Sequence, residues 1–140
     1  MKEPMFELLD HPADIGFRAF GATLPDLFAN SALALLNIAT DPTAVNPREQ
    51  YPLTVVSTDR EALLVDWLSE VLYWFDGKQV AFQRVMVNRL EETALDAIAV
   101  GEPRDPLRHR SKLIVKAVTY HQLRIEQRPG GWMAEVFLDI

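Results

Sequence analysis

Apolar residues recur along the chain with two different periods, and each change of period predicts a new element. Alternation of apolar and polar residues is typical of strands with one buried face, whereas spacings of three and four are typical of helices. On this basis we predict seven strands, at residues 5–9, 15–20, 51–57, 80–90, 94–100, 113–126 and 132–138.

Two segments with helical spacing lie between these strands. The first is predicted to be capped by Thr23 and to stop before Pro42, because the residue preceding a proline avoids the α region. The second has Thr58 and Glu61 at the spacing of a capping box, and Gly77 fits a left-handed stop. Its apolar residues cover more than one face, so we expect it to be the central helix, buried against the sheet.

The order of these elements, β-β-α-β-α-β-β-β-β, predicts an α+β two-layer domain. Its two helices would pack on one mostly antiparallel sheet of about six to seven strands, with a bulge near Arg84 in the strand at 80–90. The length of 140 residues suits a single domain covering residues 1–140.

Composition places the chain among ordinary globular proteins, with 49% hydrophobic and 24% charged residues. The formal net charge of -6 argues against a general phosphate-binding protein, although residues 104–112 form a local basic exception. The absence of cysteine excludes disulfides, thiolate metal sites and a cysteine nucleophile. Nothing resembles a signal peptide or an apolar run of 18 residues, so we expect a soluble cytoplasmic protein that does not contact membranes.

Three anionic groups stand at the ends of predicted strands near the two ends of the chain. Asp14 lies in a charged turn, and Asp139 and the carboxylate of Ile140 follow the last strand. If the last strand lies beside the first, the three groups converge and repel one another unless a cation joins them. Carboxylate oxygens are the ligands that Ca²⁺ and Mg²⁺ take, which predicts a divalent-cation site. The alternative is a turn aspartate and a solvated terminus.

Two histidines near these acids add candidate chemistry. His11, before a proline, suits a general base, a metal ligand or a hydrogen-bonded turn residue. His121 lies on the strand that enters the last hairpin, where it is either a satisfied strand residue or a neighbour of the acids. No zinc-binding spacing is present, so a transition-metal centre is not expected.

The polar segment at 101–110 is a candidate functional loop. It carries Glu102, Asp105 and His109, three groups that can bind a cation or exchange protons. We favour a solvated loop over such a site.

Four stretches of the chain resemble the archease family. They lie at residues 11–16, 64–68, 116–121 and 136–140 and read HPADIG, LVDWL, KAVTYH and VFLDI. Their order and spacing fit the family over nearly the whole chain, and KAVTYH and the final LDI are the most specific. Pro12 is a departure, because the family usually has threonine there. It keeps Asp14 in place but removes a hydroxyl and a backbone donor beside His11.

Archeases are accessory proteins of the RtcB-type tRNA-splicing ligase. The resemblance therefore implies an activator, not an enzyme, that promotes guanylylation of an RtcB-type RNA ligase so that the ligase turns over repeatedly. It also implies a divalent metal, calcium, bound through Asp14, Asp139 and Ile140. No direct sequence-specific binding of nucleic acid is expected.

His11, Lys116 and His121 are candidates for supporting this site or contacting the partner. Two other functions remain open from the sequence. One is a stand-alone metal-dependent hydrolase that uses His11 or His121 as a base, and the other is a general protein chaperone that acts through exposed apolar surface.

Overall fold

The computed structural model describes residues 4–10 and 14–140. Within those ranges the chain forms eight strands, two α-helices and one short 3-10 helix. The strands are β1 (Phe6–Asp10), β2 (Asp14–Gly21), β3 (Glu49–Val56), β4 (Val80–Leu90), β5 (Ala94–Pro103), β6 (Ala117–Val118), β7 (Arg124–Arg128) and β8 (Gly131–Asp139), and the helices are α1 (Leu24–Ala39), the 3-10 helix (Pro42–Ala44) and α2 (Arg60–Asp76).

The strands form two antiparallel sheets, which confirms the α+β class. The larger sheet has the order β1-β2-β8-β6, with β7 also paired to β8, and the smaller has the order β3-β5-β4. The prediction of a single sheet was wrong. The periodicity of a strand shows which face is buried, but it does not show which strands become lateral neighbours.

The hydrophobic core lies between the helices and both sheets. Helix α1 contacts β2, β8 and β4, and α2 contacts β3, β4 and β6, so each helix touches both sheets. Trp67 at the centre of α2 is fully buried, and its indole Nε1–H donates to the carbonyl of Phe28 on α1 at 2.9 Å. The prediction that α2 is buried against the sheet is confirmed, but α2 is not the more central helix: nine residues of α1 and seven of α2 are buried, and Tyr73 of α2 is 56% exposed.

Helix α1 is capped as predicted, because the Thr23 hydroxyl accepts from the Asp26 N–H. For α2 the predicted N-cap residue was wrong, whereas the predicted stop at Gly77 is right in position and wrong only in its conformation. Asp59 is the N-cap, accepting from the Ala62 N–H at 2.8 Å, so the cap lies one residue after the threonine of the expected capping box. Gly77 has right-handed backbone angles, and Gln79 takes the positive φ of 58°.

Strand β4 has the predicted bulge, with a register shift between Phe82 and Arg84 and a second between Val87 and Arg89. The predicted strand at 113–126 is instead divided into β6 and β7, because the chain turns between them with Gln122 at a φ of 52°. Both pieces still pair with β8. In the described part of the chain, neither helix is long and apolar enough to cross a membrane.

Candidate functional site

Asp14 and Asp139 lie directly opposite each other in the larger sheet. Strand β2 pairs with β8 in a register that matches Asp14 to Asp139 and Gly16 to Phe137. Directly opposed residues of antiparallel strands have Cβ atoms about 4.5–5.5 Å apart. The expected meeting of the two chain ends is therefore confirmed at the level of strand pairing. We call Asp14, Asp139 and Ile140 the acidic tip.

The alternation of side chains along β2 and β8 determines which face carries the acids. Phe17 and Val136, which are opposite each other, are fully buried in the core beneath the helices. Residues one position away point to the other face, so Asp14 and Asp139 project from the sheet surface that faces away from that core. Asp139 is exposed, whereas Asp14 is half-buried and its Oδ1 atom is shielded from solvent.

Phe137 forms a floor beside the acidic tip on this outer face. A Cβ atom added to Gly16 would lie 2.5 Å from Cε1 of Phe137, which shows that the ring lies across the glycine. The Phe137 ring also contacts the ring of His121. The two ring centroids are 6.1 Å apart, and the angle between the ring planes is 65°. His121 thus lies on the sheet face that carries Phe137 and also Asp139, which is two positions after Phe137 on β8.

Strand β6 pairs with β8 on the edge opposite β2, so the backbone of Asp139 has a neighbour on that side as well. The Lys116 N–H donates to the Asp139 carbonyl at 2.7 Å, and Ala117 is the register partner of Asp139. The Thr119 N–H and hydroxyl both donate to the Phe137 carbonyl, at 3.1 and 3.0 Å. The backbone of β8 is therefore paired with a neighbouring strand on both edges up to Asp139, its last residue.

The donor set of the acidic tip suits a hard cation. Two side-chain carboxylates and the main-chain oxygens of Ile140 are all oxygen ligands, which Ca²⁺ and Mg²⁺ take. Opposed like charges are destabilising in a sheet, and a cation between them would offset that repulsion. No group of three His, Cys, Asp or Glu side chains suited to a metal occurs within residues 4–10 and 14–140, so any third ligand there comes from the main chain or another source.

The remaining predicted residues are distributed around this tip. Lys116 and His121 both have exposed side chains, and their segment is joined to β8. Ile140 follows Asp139 and is exposed. His11, together with the departure at Pro12, lies outside the described residues.

A second cluster, around Glu102 and His109, was missed by the sequence analysis, which favoured a solvated loop. Both side chains are buried. The Asp105 N–H donates to Nδ1 of His109 at 2.8 Å, so the ring hydrogen lies on Nε2, which donates to the Glu102 carboxylate at 3.0 Å. Arg108 donates to the other Glu102 oxygen at 3.1 Å.

The electrostatics of Glu102 follow from these contacts. A hydrogen bond from the Asn46 N–H at 2.7 Å, followed by those from His109 and Arg108, holds the pKa of Glu102 below its ordinary value of 4.5, while burial acts in the opposite direction. The cluster ties the chain before β3 to the segment after β5. The signal in the sequence was that Ile98 and Val100 lie on the same face of β5 as Glu102, because apolar residues there indicate that this end of the face is covered.

The comparisons with known proteins agree over the length of the chain. Residues 6–140 match the Archease protein family (MTH1598/TM1083). Protein archease of Methanosarcina mazei is 41% identical, with 96% of this chain and 95% of the relative covered. Protein archease of Thermococcus gammatolerans is also 41% identical, with 96% and 98% covered.

Solved structures show the same fold. The solution structure of protein 1598 from Methanobacterium thermoautotrophicum has a TM-score of 0.80 and 35% identity, over 97% of this chain and 99% of that one. The crystal structure of an archease described as a possible chaperone, from Thermotoga maritima, has a TM-score of 0.65 and 20% identity, over 100% and 98%. The chain belongs to the archease family.

Proposed function

We propose that this protein activates an RtcB-type RNA ligase in tRNA splicing or RNA repair, by promoting guanylylation of the ligase and so its multiple turnover. The observation that carries the proposal is the direct opposition of Asp14 and Asp139 at the ends of two interior strands of the larger sheet, in a chain of the archease family. Family membership favours an accessory protein over an enzyme.

Asp14, Asp139 and Ile140 would hold a divalent cation, for which calcium is our choice. Such a cation would supply positive charge for polarising and orienting phosphate oxygens. The protein's own contribution is positioning. Strands β2 and β6 pair with β8 on its two edges, so the backbone of the acidic tip has its binding conformation before it meets the ligase. The tip therefore loses little conformational entropy on binding.

Lys116 and His121 flank the acidic tip and are our candidates for contacts to the partner. Lys116 is anchored through its backbone to Asp139, which leaves its ammonium group exposed. An ammonium beside a cation-binding tip adds a second positive group for phosphate oxygens. The ligase supplies the nucleophile and carries out the bond-forming steps.

The direct test is RNA ligation by a purified RtcB-type ligase with GTP, at substrate concentrations well above that of the ligase. We expect a single round without this protein and repeated rounds with it. Guanylylated ligase, measured with radiolabelled GTP, should accumulate faster in its presence. If neither turnover nor guanylylation rises with a ligase from the same source, the proposal is wrong.

A second candidate function is that of a general chaperone. It is favoured by the description of the Thermotoga maritima archease as a possible chaperone and by several exposed aliphatic side chains on this protein, including Leu107 and Ile114. Light scattering by an unrelated aggregating protein separates the two functions. A chaperone suppresses that scattering, whereas a ligase activator leaves it unchanged.

A further inference from the structure

The segment at residues 104–116 joins β5 to β6 without helix or strand, yet it is firmly attached to the body of the protein. The Lys112 N–H donates to the Ala39 carbonyl at 2.8 Å, at the end of α1. The Thr40 hydroxyl donates to the Arg110 carbonyl at 2.9 Å. A long connection held in one conformation by such bonds presents its outward side chains in a defined arrangement.

Two adjacent aliphatic side chains of this segment face solvent. Ile114 is 75% exposed and Leu113 is 39% exposed, whereas the next residue, Val115, is 3% exposed and packs in the core. Burial of Val115 fixes the direction in which its neighbours point. A single exposed aliphatic residue is ordinary, but an adjacent pair on a preorganised segment is typical of an interaction site.

Charge and position indicate which partner surface fits this pair. Lys112 and Lys116 flank the pair and are exposed, giving the apolar centre and polar rim of a protein interface, and the Lys112 ammonium is held in place by donating to the Asn37 carbonyl at 2.8 Å. The Lys116 N–H is bonded to Asp139, and consecutive Cα atoms are 3.80 Å apart, so Ile114 lies within about 8 Å of Lys116. The pair is therefore continuous with the acidic tip, and any protein that receives the tip meets the pair as well.

We propose that Leu113 and Ile114 are the apolar anchor by which this protein docks on its ligase, in an apolar depression of the ligase rimmed by carboxylates. This inference rests on the proposed function for the identity of the partner. The anchor provides affinity, and the acidic tip provides activation. Lysines on the rim match acidic groups on the partner and favour correct encounters.

The test uses the double variant Leu113→Ser/Ile114→Ser and, as a matched control, Val56→Ser. Val56 is 72% exposed on β3, in the other sheet, so it controls for loss of an exposed aliphatic group. Affinity for the ligase is measured by biolayer interferometry. We expect the double variant to bind about tenfold more weakly or worse, because it removes both aliphatic side chains from the contact. Val56→Ser should bind as the wild type does.

A second readout separates docking from activation. The concentration of protein that gives half-maximal stimulation of ligation should rise about tenfold with the double variant. Asp14→Ala should show the opposite behaviour, retaining ligase binding while losing stimulation. Thermal unfolding midpoints verify that each variant is folded. If the double variant is unfolded, Ile114→Ser alone replaces it in both assays.

Three outcomes overturn the inference. Unchanged ligase affinity of a folded double variant removes the anchor but leaves the proposed function standing, because the wild type still stimulates. A wild type that neither binds nor stimulates the ligase removes both. Sedimentation that shows a wild-type dimer converted to a monomer by the double variant assigns the pair to a second copy of the chain instead.

Discussion

Asp14 on β2 and Asp139 on β8 are directly opposed partners in one sheet, although they stand near the two ends of the chain. Opposed like charges lower the stability of a strand pair, typically by a few tenths of a kcal/mol or more. The pair on the outer face therefore lowers the stability of the protein without a ligand. A divalent cation bound by these oxygen atoms would offset the repulsion, which gives the arrangement a function. The first two predictions follow from this pair.

Asp14→Ala should remove stimulation of ligase turnover while leaving the fold intact. The substitution deletes one of two opposed carboxylates and no residue of the hydrophobic core, but Asp14 is half-buried, so we expect a stability change of about 1 kcal/mol or less. Urea unfolding and multiple-turnover ligation measure the two effects. Asp14→Asn is the matched control, because it keeps the size of the side chain and removes the charge. Full stimulation by either folded variant would contradict a role for the acidic tip.

A C-terminal extension should weaken cation binding. In a chain that ends at Ile140, the main chain presents a carboxylate beside Asp139, and a tag converts it to an amide with one less negative charge. Affinity for hard cations depends on the charge of the ligands. Calorimetric titration with Ca²⁺ should give a weaker affinity for C-tagged than for N-tagged protein. Equal affinities would show that Ile140 contributes at most a carbonyl oxygen.

Gly16→Ala should destabilise the protein by about 1–3 kcal/mol, as overpacking does. The new Cβ atom would lie 2.5 Å from Cε1 and 2.7 Å from Cδ1 of Phe137, and this ring is itself buried. The measurement is urea unfolding of Gly16→Ala, Phe137→Leu and the double variant. Leucine removes the colliding ring edge, so the double variant should lose less stability than the sum of the single ones. Simple additivity would mean that the ring does not lie across the glycine.

The Glu102 cluster should make the protein less stable in acid. The pKa of Glu102 is held below its ordinary value of 4.5 in the folded protein, chiefly by the Asn46 N–H. Ionised Glu102 therefore favours the folded state in full above the ordinary pKa, and this contribution is lost as the pH falls through the lower, folded-state pKa. Urea unfolding of wild type between about pH 3 and pH 7 should show the loss.

Glu102→Gln is the control for that experiment. The variant keeps the shape of the side chain but has no carboxylate for Arg108 and His109, so it should be less stable than wild type at neutral pH. Its stability should also change less between neutral and acidic pH. If wild type and variant lose stability in parallel, acid sensitivity arises from other carboxylates.

Local chemistry along the chain determined most of the elements. Alternating apolar residues predicted β2, β4 and β8 to within about two residues at each end, as expected for boundaries drawn from periodicity. Thr23 caps α1 because its hydroxyl can reach an N–H three residues ahead, a contact that depends on local geometry alone. The motifs around Asp14 and Asp139 also predicted the family, which residues 6–140 confirm.

The tertiary structure decided lateral neighbours and burial, which local patterns do not encode. A strand's period does not show its partners, so the division of the strands into two sheets and the register that opposes Asp14 to Asp139 became visible only in the fold. Glu102 and His109 read as polar loop residues, yet both are buried, because they bond to each other and because the Asn46 N–H donates to Glu102 while the Asp105 N–H donates to His109. Such long-range pairing compensates the cost of burying charge, and it exists only once distant segments have met.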